Sequence, residues 1–145
     1  MIMKEDEGMN SLKIHVLLGA VLLAGSTTAA LAAPPALYTA DQAKGGSDVY
    51  AQNCAMCHGP DLTGAAGPAL VGQAFASAGN KYTIGSIFTE VAQQMPAGQP
   101  ASLTHEQYED VFSYILQQNG YPAGTTKLDY TASLSSKVPL VSQKP

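Results

Sequence analysis

Cys54-Ala55-Met56-Cys57-His58 contains both cysteines of the chain, and the reading of this pentapeptide decides the fold. Two cysteines three apart, with a histidine directly after the second, follow the C-x-x-C-H pattern of covalent haem attachment. At the end of a helix, residues three apart lie on one face, so each thiol can add across one of two vinyl groups on the same porphyrin edge. His58 is then delivered beneath the ring, where Nε2 can bind iron as the proximal ligand. Its other ring nitrogen needs an acceptor to fix the imidazole. Two other readings of the same residues predict different surroundings. A C-x-x-C redox disulfide usually comes with a βαβ pattern, and the chain has no strand alternation. A structural zinc site needs four protein ligands, and after the N-terminal leader the Cys/His candidates are Cys54, Cys57, His58 and His105.

The opposite iron ligand must come from the remaining methionines or histidines. Met56 lies inside the attachment loop and is tied to the His58 side. Met95 precedes Pro96, which disfavours helical dihedrals at Met95 and sends the chain along an extended path. That geometry can present a thioether to the other face of the ring, so Met95 is the expected distal ligand. His105 sits in the first turn of a capped helix, where a solvated side chain is the ordinary outcome.

Working outward, three segments carry helical signals. Thr39 with Gln42 three residues on forms a capping box, and the helix it opens leads into Cys54. The Gly45-Gly46 pair inside that helix costs about 1 kcal/mol per glycine relative to alanine, so it answers a packing need. Thr83 caps a second helix whose Ile84, Ile87, Phe88 and Val91 share one face. Thr104 and Gln107 repeat the capping box before the stripe Tyr108, Val111, Phe112, Ile115 and Leu116, which ends ahead of Gly120. Between the first two helices, Gly59 to Asn80 is rich in Gly, Ala and Pro and has no period. A loop of about twenty residues is uncommon in a small domain unless it wraps something. The segment after residue 128, rich in Thr, Ser, Lys and Pro, reads as a flexible tail over 129–145.

At the N-terminus, the apolar run Ile14 to Ala24 follows Lys13 and leads to Ala30-Leu31-Ala32, an A-x-A cleavage site. Residues 1–32 therefore read as a secretory signal peptide, with Glu5, Asp6 and Glu7 favouring a start at Met9. Export implies a disulfide-permissive space, the periplasm, and no membrane span after cleavage. Of the 145 residues, 46% are hydrophobic and 12% charged, with seven lysines, no arginine and eleven acids for a net charge of −4. That balance lacks the clustered basic charge that grips a nucleic-acid backbone. No tryptophan and three phenylalanines leave a small core short of large aromatics, a gap that a porphyrin would fill.

The ordered set Gly46-x-x-x-Tyr50-x-x-x-Cys54, CAMCHG, Gly67-Pro68-Ala69-Leu70, Ile84-x-x-Ile87-Phe88 running into Met95-Pro96, Tyr108-x-x-Val111-x-x-Tyr114-Ile115 and Asn119 to Gly124 resembles the class I c-type cytochromes. Over about Ala40 to Leu128 it looks like the mono-haem domains that serve periplasmic quinoprotein dehydrogenases. The resemblance implies an all-α cytochrome c fold, with three main helices and loops wrapped around one covalent haem c, and a cytochrome domain over 33–128. It implies a close crossing of the first and last helices at Gly46, near Tyr50 and Tyr114, and a Pro68 carbonyl that accepts the His58 Nδ1 proton. Family members often bond the haem propionates with arginine or tryptophan; here Tyr82, Lys81 or backbone amides must substitute. The implied activity is that of a single-electron carrier, not an enzyme. Its donor would be a quinoprotein (PQQ-dependent) dehydrogenase and its acceptor a terminal oxidase or another cytochrome. Two alternatives remain, a haem c subunit of a larger oxidoreductase complex and a C-x-x-C thiol-disulfide oxidoreductase.

Overall fold

A computed structural model describes residues 33–145, and the expected leader over 1–32, with its start at Met9, lies outside the described residues. Among the described residues five α-helices follow one another: α1 (Ala40–Asn53), α2 (Ala55–His58), α3 (Ile84–Gln94), α4 (His105–Gln118) and α5 (Tyr130–Leu134), with a 3-10 turn at Ala78–Asn80. The described residues contain no strand, only isolated bridges at Thr39 with Gly124 and Thr83 with Pro139. The fold is all-α, as the helical periodicity predicts.

Each long helix starts where its side-chain cap is available. Thr39 accepts from the Gln42 amide while the Gln42 side chain returns to the Thr39 amide, and Thr104 with Gln107 repeats the arrangement. Thr83 does the same with Ser86, a box that the sequence reading did not include because serine is an unusual residue in that role. Every such box satisfies two amides that a helix start leaves without partners, and losing a threonine cap costs about 1 kcal/mol.

The main interface joins α1 to α4, and Gly46 is the reason it can be so close. A Cβ at Gly46 would stand 1.9 Å from the Asp110 carbonyl oxygen and 2.9 Å from the Tyr114 Cβ. Only a residue without a side chain lets the two backbones meet there, which is the packing need behind the helix glycines. Tyr50 and Tyr114 lie beside the crossing with ring centroids 5.4 Å apart. Phe88, Phe112, Tyr108 and Leu116 form the larger core cluster; Tyr50, Leu62, Val111 and Ile115 form a second.

The segment 129–145 corrects the expectation of a flexible tail. Asp129 caps α5, whose Tyr130 packs edge-on against Phe88 at 5.3 Å. Beyond α5 the chain lies across the loop and the start of α3 as a strap. Ile84 donates to the Val138 carbonyl at 2.8 Å, Leu140 to Tyr82 at 2.9 Å, Ser142 to Ala76 at 2.8 Å and Gln143 to Asn119 at 2.9 Å. Leu140 is fully buried. The residues from 33 to Pro145 accordingly belong to one compact unit. Composition misled because the strap's few apolar residues, Leu134, Val138 and Leu140, enter a core whose other half lies far away in sequence.

Candidate functional site: a haem attachment cleft

The attachment pentapeptide sits at a break between two helical turns. Cys54 leaves helical geometry (φ −124°, ψ −34°) and ends α1 while opening α2. Its amide donates to Tyr50 at 2.9 Å and its carbonyl accepts from His58 at 2.9 Å, so the helical path continues across the break. Cys54 and Cys57 are both free and half-buried. Met56, between them, is 90% exposed.

His58 is buried, and its Nδ1 lies 2.8 Å from the Pro68 carbonyl oxygen. A carbonyl can only accept, so the proton is on Nδ1 and the Nε2 lone pair is free for a metal. The long loop is pressed onto this ring. A Cβ at Gly67 would come within 3.0 Å of His58 Cε1 and Nδ1. Gly67 donates to the Cys57 carbonyl at 2.7 Å, Gly64 to His58 at 2.8 Å, and Leu70 to Leu62 at 2.7 Å. Gly59 and Gly64 take φ of 79° and 92°, values that cost a residue with a side chain and that let the chain reverse immediately after the histidine.

Two residues brace this arrangement in a role that the sequence expectations did not give them. The Tyr50 hydroxyl donates to the Gly59 carbonyl at 2.6 Å. Burial above all, then the nearby Cys54, Tyr114 and Asp61, push Tyr50 up to about 12, so it stays a donor at neutral pH. Asn119, fully buried, donates to the Leu70 and Ile115 carbonyls at 2.8 Å each and accepts from the Gly72 amide at 3.2 Å. An Asn-Gly after an amphipathic helix reads as an ordinary helix end. Its second role, holding a loop 47 residues away, has no local sequence signal.

Further along the chain, Met95 ends α3 with extended geometry (φ −115°, ψ 152°), as the following proline requires. The Tyr108 hydroxyl donates to its carbonyl at 2.7 Å. His105 does not turn toward the cleft: its ring stacks on Tyr130 with centroids 3.7 Å apart and planes 9° from parallel. Tyr82 is half-buried against the larger core cluster, and its carbonyl receives the strap. Lys81 is exposed beside it, in left-handed geometry.

A flat apolar group fits these residues. Leu70, Val71, Phe75 and Val91 are half-buried and packed against the same cluster as Cys54, with Phe75 and Val91 common to both clusters. The paired thiols, the free Nε2 and this uncovered apolar surface are what a covalent porphyrin needs. They suit thiol-disulfide exchange poorly. Burial and then Cys57 push the Cys54 thiol up to about 11, whereas a reactive C-x-x-C lowers it. Among the described residues, no three or more His, Cys, Asp or Glu side chains are grouped to hold a metal, and no helix is long and apolar enough to cross a membrane.

The comparisons agree with the geometry. Residues 41–115 match the family described as cytochrome c oxidase, cbb3-type, subunit III. In fold the chain is similar to a chain of the sulfane dehydrogenase SoxCD from Paracoccus pantotrophus, with a TM-score of 0.51 and 23% identity over 68% of this chain. It spans 52% of that chain, about half its length. No curated protein matches it in sequence. The match runs from the first turn of α1 through the attachment motif and most of α4, which are the elements that build the cleft. The chain therefore belongs to the family of cbb3-type subunit III cytochrome c domains, and is a class I c-type cytochrome, an electron-transfer protein whose cofactor is covalent haem c with its iron.

Proposed function

We propose that this protein is an exported mono-haem electron carrier of the periplasm, with Cys54 and Cys57 in thioether linkage and His58 and Met95 as the axial ligands of the iron. The observation that carries the reading is the 2.8 Å contact of His58 Nδ1 with the Pro68 carbonyl, which fixes the tautomer and aims Nε2 away from the loop. Held by these residues, haem c would supply a one-electron iron couple, and a thioether ligand from Met95 would favour the reduced form and raise its potential. The protein's own residues hold both ligands in place and keep substrates off the metal, so the chain carries electrons and is not itself an enzyme. Tyr82, Lys81 or nearby backbone amides serve the propionates.

Partners meet the chain beside the attachment loop. Ala65, Ala66 and Ala97 are exposed, Ala69 is half-buried, and neither Leu62–Asn80 nor Val91–Thr104 contains a charged residue. Contact through small uncharged side chains suits the brief, small interfaces of redox encounters. A quinoprotein dehydrogenase is the proposed donor and a terminal oxidase or second cytochrome the acceptor. A second reading, a haem c subunit of a larger oxidoreductase, draws on the solved chain of similar fold, which comes from a dehydrogenase. Copurification with a partner after export favours the second; a monomer favours the first.

Intact mass of the exported protein tests cleavage after Ala32 together with one covalent haem. In the Met95→Ala variant, loss of the low-spin six-coordinate spectrum is the expected result; an unchanged spectrum removes Met95 as the ligand.

A further inference from the structure

We propose that Tyr108 is a positioning residue for Met95, and that its hydroxyl sets how readily the thioether leaves the metal. The inference rests on Met95 as the distal ligand and adds what holds it there. Tyr108 lies in the first turn of α4 and is 2% exposed. Its hydroxyl donates to the Met95 carbonyl at 2.7 Å and receives the Leu103 amide at 3.4 Å. One phenol oxygen thus ties together the two ends of the loop 95–103. Within that loop the Pro96 carbonyl accepts from Gln99 at 2.8 Å, Ala97 to Ala101 are exposed, and Gly98 has no neighbour within 4 Å of a Cβ position. The Met95 amide donates to Val91 in α3 at 3.3 Å and Leu103 packs against the larger core cluster, but residues 97–101 have little packing of their own, so the bond from α4 is the side-chain tie on Met95.

The ring and the hydroxyl of Tyr108 do separate work. The ring belongs to the larger core cluster and meets Tyr130 with centroids 6.3 Å apart; phenylalanine would fill the same space. The hydroxyl is the part that reaches the ligand loop. A second tyrosine makes the same pair of bonds elsewhere: the Tyr121 hydroxyl donates to the Pro139 carbonyl at 3.2 Å and receives the Val141 amide at 3.0 Å. Tyr121 holds the strap and Tyr108 holds the methionine loop, with identical chemistry. Tyr121 therefore provides a matched control in which a hydroxyl and two hydrogen bonds are lost away from Met95.

Cyanide ion, titrated into the haem-loaded ferric protein and followed by visible absorption, competes with Met95 for its coordination position. Tyr108→Phe should tighten the apparent cyanide affinity about three- to tenfold, the equivalent of one lost hydrogen bond, while the reduced protein keeps its six-coordinate spectrum. Tyr121→Phe should lower the melting temperature similarly and leave cyanide affinity within about twofold. An unchanged affinity in Tyr108→Phe overturns the proposal, as does an equal gain in Tyr121→Phe, which would make the effect one of general stability. Met95→Ala separates the two levels of the argument. If it too leaves cyanide affinity unchanged, Met95 is not the ligand and both readings fall; if it alone changes the affinity, only the role of Tyr108 does.

Discussion

The segments that carry His58 and Met95 are held in different ways. On the His58 side the chain is bonded many times over: Tyr50 to Gly59, Gly64 to His58, Gly67 to Cys57, Pro68 to the imidazole and Asn119 to Gly72. On the Met95 side the bond of its amide to Val91, a short turn and one phenol hold a loop whose residues 97–101 are exposed. The difference teaches which of the two proposed ligands the fold holds more firmly. A histidine next to two covalent attachments needs its orientation guaranteed, and distributed backbone bonds provide it because the loss of any one is absorbed. A thioether on a lightly held loop can be tuned by a single residue.

The strongest way to break this comparison is to remove the hub of the His58 side. Asn119→Ala deletes the acceptor of the Gly72 amide and the donor to Leu70, leaving buried polar groups without partners. A loss of about 2–3 kcal/mol is expected, measured by denaturant unfolding of the haem-loaded protein, with the cradle loop freed more than the Met95 loop. Tyr50→Phe sharpens it further. Losing one of several bonds there should cost about 1 kcal/mol of stability and leave cyanide affinity unchanged. An affinity gain as large as that of Tyr108→Phe would erase the distinction between the sides.

The smallest effect belongs to the helix crossing that both sides share. Burial first, then Glu106 and Glu109, raise Asp110 above the ordinary carboxylate range against the opposing pull of Lys127. A carboxyl whose folded pKa exceeds its unfolded value binds its proton more tightly in the fold, so stability falls as pH rises from the unfolded value through the folded one. Asp110→Asn should therefore raise the melting temperature slightly at neutral pH and leave it unchanged at about pH 3, where the carboxyl is protonated in either state. Because Asp110 lies at the α1–α4 crossing beside Gly45 and Gly46, the cyanide affinity should not move.

Much of the cleft was legible from local chemistry. Thr39, Thr83 and Thr104 each open a helix because a cap is a relation between residues three apart. Met95 is extended because Pro96 constrains its neighbour. The Pro68 acceptor was reached only through the family resemblance, since nothing local links residue 68 to His58. Asn119, Tyr50, Tyr108 and the strap were not foreseen as braces at all. Each acts on a carbonyl or amide elsewhere in the chain, and a sequence does not state which backbone group will be left without a partner.

The sequence by itself determined the three long helices, their capped starts and the covalent cofactor, because these follow from spacing within a few residues. Tertiary structure decided what those parts are held by. The crossing at Gly46, the loop pressed against His58, the strap over 129–145 and the phenol on the Met95 carbonyl all depend on backbone groups brought together from distant segments. That juxtaposition exists only once the apolar faces have packed and excluded water from the polar groups between them.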